Sequence, residues 1–139
     1  MKQVILDTDT VSFFFRGNEK VIRNIDNYLT QFVNLNISII TYYEILNGLL
    51  FKDAKKQLNK FLEFTKYNKI LPLTVLSVNN SANIYANLRK TGKVISHNDV
   101  LIAGIAITNN FVLITNNTYH FKRIKELEID NWTTWVNKK

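Results

Sequence analysis

Three short, mainly apolar runs, QVIL (3–6), ISII (37–40) and FVLI (111–114), constrain this chain more than any other feature. Hydrophobicity without polar alternation marks strands covered on both faces, which is the pattern of a parallel sheet. The stretches between them carry a helical period. Val21, Ile22, Ile25, Tyr28, Leu29 and Phe32 recur at helical spacing, and Leu58, Phe61, Leu62 and Phe64 do so between residues 53 and 67 with lysines outward. A further helix is expected over 76–89, broken near Gly92. VLIAGIAI (100–107) reads as a buried helix capped by Ser96 or Asn98. The second strand is expected to reach Ile40 and end at Thr41, with Ile45, Leu49 and Leu50 turned inward on the helix that follows. Pro72 in ILPL suits an edge strand, NNTYHF a turn into a short helix, and IDNW (129–132) a last edge strand. Alternation of this kind, with no linker or repeat, predicts one α/β domain over residues 1–139: a central, mostly parallel sheet flanked by helices in three layers.

Composition removes several function classes. With no cysteine, disulfides, Cys-based zinc sites and thiol catalysis are excluded. The longest apolar run, 100–107, falls far short of the ~20 residues that span a bilayer. Asp7 interrupts the first apolar run before a signal sequence could form, so a cytosolic protein is expected. Eighteen Lys+Arg against eleven Asp+Glu give a formal charge of +7, which favours a polyanionic partner.

The few acids are informative by position. Asp7 ends the first strand, Glu44 follows the second by one turn, and Asp99 opens the most hydrophobic helix. An acid beside a buried element is costly unless a cation or hydrogen bonds compensate it. In an open α/β sheet, the C-terminal strand ends line the crevice where ligands bind. Three carboxylates meeting there would favour a hard divalent cation such as Mg²⁺, and Thr115, Asn116 and Asn117 at the end of the third run offer neutral oxygens. Such a pocket inside a basic chain suits phosphodiester chemistry.

VILDTDTVS, ITYYEILNGL, HNDVLIAGIAI and LITNNTYHFKRI resemble, in order and spacing, the four motifs of PIN-domain ribonucleases, and within them the VapC toxins of type II toxin–antitoxin systems. The resemblance implies a PIN-like fold and an Mg²⁺-dependent endoribonuclease, with Mn²⁺ as a substitute. It also implies a cognate VapB-like antitoxin, a homodimer, and products with 5′-phosphate and 3′-hydroxyl ends. By the same resemblance Asp7, Glu44 and Asp99 are the metal-binding acids, and Asn117 stands where many members place a fourth acid. Asp7 and Asp99 would ligate directly, Glu44 would bind through water or orient the attacking water, and Thr115 and Asn117 would complete the surroundings. Lys122 and Arg123 are the first candidates to contact RNA phosphate.

Other readings of the same residues differ. Asp9 is expected to cap the first helix, and Ser12 to sit at its start. His97 and His120 suit surface or capping roles, and Tyr42, Tyr43 and Tyr119 either core packing or base stacking. Phe13, Phe14 and Phe15 suit burial or a partner surface. VILDTDTV also fits the opening of haloacid-dehalogenase-like phosphatases, with Asp7 as nucleophile and Asp9 as acid/base. A catalytically inactive metal- or RNA-binding domain is the non-enzymatic alternative.

Overall fold

The computed structural model describes residues 1–135. Five strands form one sheet: β1 (Val4–Leu6), β2 (Asn36–Ser38), β3 (Lys69–Leu71), β4 (Val112–Ile114) and β5 (Ile129–Asp130). Their order is β3-β2-β1-β4-β5 and every neighbouring pair is parallel. The central β1 pairs with β4 at Val4↔Val112, Ile5↔Leu113 and Leu6↔Ile114, and with β2 at Leu6↔Ile37. Chain order runs outward from β1 through β2 to β3, then crosses to β4. Beside β1 the strand order reverses, and a crevice opens there at the C-terminal strand ends.

Among the described residues, seven helices cover the sheet: α1 (Thr8–Phe15), α2 (Glu19–Tyr28), α3 (Ile39–Phe51), α4 (Lys55–Tyr67), α5 (Val75–Lys90), α6 (His97–Thr108) and α7 (Thr118–Phe121). Two apolar clusters make the layers, because successive strand residues point to opposite faces. Val4, Leu6, Val112 and Ile114 pack with Val11, Val21, Ile25, Tyr28 and Phe61 from α1, α2 and α4. Ile5 and Leu113 face the other way, onto Ile84, Leu88, Ile102, Ile105 and Phe121 from α5, α6 and α7. Tyr28 is fully buried, and its hydroxyl accepts the Val4 N–H at 3.1 Å. Among the described residues, no helix is long and apolar enough to cross a membrane.

Several expectations shift by a few residues. The second strand stops at Ser38, whose hydroxyl accepts the Thr41 N–H at 2.9 Å and starts α3, so Ile39, Ile40 and Thr41 are helical. A four-residue apolar run is equally compatible with a strand or a buried helical turn, and the serine cap decides it. Leu50 is 59% exposed rather than turned inward, since Ile45 and Leu49 already occupy the core-facing stripe of α3. Ser12 lies inside α1, not at its start. Lys69–Leu71 is an edge strand with Pro72 just beyond it, and Ile129–Asp130 forms the opposite edge. Ser96 caps α6, and α5 gives way to Gly92 at φ +69°.

The close packing of α5 on α6 depends on a missing side chain. A Cβ on Gly104 would run into the Ser81 hydroxyl and come 2.5 Å from the Ser77 carbonyl oxygen. Ser81 in turn donates to the Val100 carbonyl at 2.9 Å. Gly104→Ala is expected to lower unfolding free energy by about 1–3 kcal/mol through overpacking, measured by urea denaturation.

Candidate active site

Asp7 is the first residue beyond β1, where its backbone N–H still donates to the Ile114 carbonyl of β4 at 2.9 Å. That bond fixes its carboxylate at the strand crossover, with 5% of the residue exposed. Oδ1 accepts the Thr8 N–H at 2.8 Å and so caps α1, while Oδ2 accepts the Thr115 hydroxyl at 2.7 Å. Thr115 is itself fully buried, and its oxygen accepts the Asn117 N–H at 3.0 Å. The turn after β4 is thereby tied to the end of β1.

Thr8 links a second carboxylate to the first. Its hydroxyl donates to Glu44 Oε1 at 2.6 Å and lies 3.0 Å from the Thr41 hydroxyl. Thr41 and Glu44 are one turn apart on α3, so they share a face that meets the start of α1. Asn98 at the start of α6 donates to Glu44 Oε2 at 3.3 Å, bringing the neighbouring Asp99 to the same crevice. Ser96 accepts the Asp99 N–H at 3.1 Å.

Asp9 also enters the site. Oδ2 accepts the Asn116 N–H at 3.0 Å, across the gap between α1 and the turn after β4. It is therefore not the cap of α1, a role Asp7 holds from one residue before the helix. The two acids are adjacent in space because the strand ends at Leu6 and the helix begins at Thr8, which swings positions 7 and 9 toward the same edge.

The electrostatics are those of clustered like charges. Burial, then the charge of Asp9 and more weakly that of Asp99, push the Asp7 pKa up from 3.8 to about 7, against the opposing bonds from Thr115 and Thr8. Asp9 is raised chiefly by burial, opposed by the backbone N–H groups around it. Asp99 is raised by burial and then by Glu44 and Asp9, while Ser96 and His120 pull it down. Among the described residues, no Lys or Arg forms an ion pair with any of these four acids; the ion pairs formed are Lys2–Glu128 and Lys66–Glu63. Hydroxyls, backbone N–H groups and the Asn98 amide hold the carboxylates, and among the described residues no Lys or Arg compensates their charge.

That donor set fits a hard divalent cation. Carboxylate and neutral oxygen donors are what Mg²⁺ or Mn²⁺ prefers, and an added positive charge would relieve the repulsion that raises Asp7. Among the described residues, no three acid or imidazole groups form a ready-made cage. The fit is thus to an ion held by one or two carboxylates with waters and substrate phosphate, as Mg²⁺ commonly is.

Comparison with known proteins identifies the family. The PIN domain family matches residues 4–127. The chain belongs to the PIN-domain family. Ribonuclease VapC1 of Haemophilus influenzae is 30% identical over 132 residues, covering 93% of this chain and 97% of the relative. The Salmonella typhimurium relative named tRNA(fMet)-specific endonuclease VapC is 29% identical over 133 residues, covering 95% and 99%. In structure, a chain of Rickettsia felis VapBC2, solved bound to a DNA fragment from their promoter, superposes with a TM-score of 0.84 at 27% identity, covering 93% of this chain and 98% of that one. This PIN domain is a VapC-type ribonuclease, and the phosphatase reading of VILDTDTV falls with that assignment. The turn after β4 carries Thr115, Asn116 and Asn117, not the acid pair a phosphatase needs.

Within the PIN domain, Thr8 bonds to both Asp7 and Glu44, Thr115 bonds to Asp7, and Asp99 is near enough to Glu44 and Asp7 to be coupled to them by charge. Asn117 joins through its backbone N–H, and its side chain makes no capping bond to α7. Sequence reasoning missed Thr8, Thr41 and Asn98 as supports of Glu44 and placed Asp9 outside the site. The D-x-D spacing at a strand end was the available signal for Asp9. Of the other candidates, Tyr42 packs against the core, Tyr43 and Tyr119 are exposed, and the His97 ring stacks on Tyr85 at 4.3 Å. Lys122 is exposed, and Arg123 donates to the Lys93 and Val94 carbonyls at 3.3 Å each.

The raised Asp7 pKa sets a pH dependence for the metal-free chain. Below about pH 4 folded and unfolded chains both hold the proton; between about 4 and 7 the unfolded chain releases it first, so folding stability falls and then levels off. Asp7→Asn, which carries no charge, is expected to exceed the parent by a few kcal/mol at about pH 8 and to match it near pH 4. Urea denaturation in EDTA at both pH values checks this; an unchanged difference would contradict the assigned cause.

Proposed function

We propose that this endoribonuclease, the toxin of a toxin–antitoxin system, hydrolyses RNA phosphodiester bonds with Mg²⁺, or Mn²⁺ in its place, held directly by Asp7 and Asp99 and through water by Glu44. The observation that carries the reading is the convergence of uncompensated carboxylates at the strand crossover of a chain whose net charge is +7. A bound divalent cation would supply Lewis-acid polarisation of the phosphoryl oxygen and ease deprotonation of a water.

The chain's own residues supply the rest. Thr115 and the Thr8 N–H orient the two oxygens of Asp7, and Thr8 and Asn98 hold Glu44 by one oxygen each. Glu44, held in this way, would orient the attacking water and accept its proton. Asn117 keeps Thr115 aimed at Asp7, and its uncharged side chain favours a single tightly held ion over two. Asp9 adds negative charge from the opposite side of the turn while bracing Asn116.

Two partners accompany this reading. Similar solved structures are those of DNA-bound VapBC2 from Rickettsia felis and VapBC from Salmonella typhimurium, which supports a VapB-like antitoxin. A concave groove of about 480 Å³ beside Thr8 and Glu44, lined by Phe15, Ile45 and Leu49 with Arg16, Lys52 and Lys60, offers it an apolar and basic surface. Phe13 and Phe14 are partly buried against the core, while Phe15, 39% exposed, packs on Phe61 and Phe64 at the groove. A homodimer is supported by the exposed Val75, Leu76 and Val78 on α5, which exclude water only against another surface. The site of action is cytosolic.

Cleavage of a structured RNA in Mg²⁺ or Mn²⁺, abolished by EDTA, is the expected result, with no hydrolysis of a small phosphate ester. Asp7→Asn, Glu44→Gln and Asp99→Asn should each lower the rate at least about a hundredfold, with far-UV circular dichroism unchanged. RNA cleavage that persists in EDTA would overturn the metal assignment, and RNA binding without cleavage would favour the non-enzymatic alternative.

A further inference from the structure

We infer that Tyr119, backed by Lys122, is a stacking platform for an RNA base next to the cleaved phosphate; this rests on the ribonuclease reading. Tyr119 is 64% exposed on α7, two residues beyond Asn117. An aromatic ring so exposed contributes little to the core, which in α7 is served by the fully buried Phe121. The Lys122 ammonium lies 5.3 Å and the Arg123 guanidinium 5.1 Å from the ring centroid. Among the described residues, the other strongly exposed aromatics Tyr43, Phe51 and Tyr67 have no cation over the ring.

The platform is fixed to the active-site frame at both ends. On one side, Asn117 donates to Thr115, which donates to Asp7. On the other, Arg123 is tethered to the carbonyls of Lys93 and Val94, in the loop that leads to Ser96 and Asp99. Arg123 therefore positions the ring, with two of its bonds committed to the chain. Lys122 is exposed and forms no ion pair among the described residues, so it is free to meet a phosphate. An exposed ring beside an unpaired cation matches the way single-stranded RNA is held, by stacking on the base and charge on the backbone.

The test separates binding from cleavage. Affinity for a short fluorescent single-stranded RNA is measured in EDTA, where the strand stays intact, with inorganic polyphosphate as a ligand that has charge but no bases. Tyr119→Ala is expected to weaken RNA binding about tenfold and leave polyphosphate binding unchanged, while Tyr119→Phe and Tyr119→Trp retain RNA affinity. In Mg²⁺, Tyr119→Ala should raise KM and spare kcat, the mark of lost uniform binding. Lys122→Ala should weaken both ligands and flatten the salt dependence of RNA binding. Unchanged RNA affinity in Tyr119→Ala, equal losses on both ligands, or a fall in kcat alone would each overturn the platform. If the parent cuts no RNA yet Tyr119→Ala still loses affinity, the ribonuclease reading fails and the platform stands; if RNA is cut and Tyr119→Ala is neutral, the reverse holds.

Discussion

Parallel pairing of the short β1 with β4 on one side and β2 on the other is the constraint from which the site follows. It places the end of β1 beside the turn after β4, and both beside the start of α3. The Asp7 N–H is spent on the Ile114 carbonyl, which leaves the Asp7 carboxylate at the mouth of the crevice with no freedom to turn away. Neighbouring elements then need to supply one or two side chains each. Val4, Ile5 and Leu6, buried on both faces, keep this pairing in place and make the position of one carboxylate a property of the core.

Hydroxyl groups do most of the orienting. Thr115, Thr8, Thr41 and Ser96 touch or align the acids, and none brings a positive charge that would compete with a metal ion. A lysine in any of those places would compensate the carboxylates and remove the reason for a cation to bind. The net charge of +7 therefore conceals an acidic pocket whose basic complement lies outside it, on the groove beside Glu44 and around Tyr119. A polyanion would be attracted by this basic periphery and repelled by the carboxylates themselves.

Much of this was legible in the chain. Val4–Leu6 and Val112–Ile114 were readable because continuous apolar runs flanked by polar turns have few other structural explanations. Asp7, Glu44 and Asp99 stood out because each lies against an apolar element in a chain poor in acids. The boundary between β2 and α3 is not legible in the sequence because Ile39 and Ile40 are as apolar as a strand requires, and only the bond from Thr41 to Ser38 shows where the helix begins. Asp9 reads as a cap in the sequence because aspartate beside a helix start serves that role in many chains; which of Asp7 and Asp9 does so depends on where the backbone turns.

The sequence by itself determined the layers, the parallel sheet and the three acids, since all of these follow from local pattern and from the cost of placing charge beside buried surface. Tertiary structure alone decided which hydroxyls hold those acids, that Asp9 faces the turn after β4, and that Tyr119 rather than Tyr42 is open to a ligand. Those outcomes depend on residues tens of positions apart meeting across the strand crossover. No local periodicity records such a meeting, because it is fixed by how the strands are ordered in the sheet.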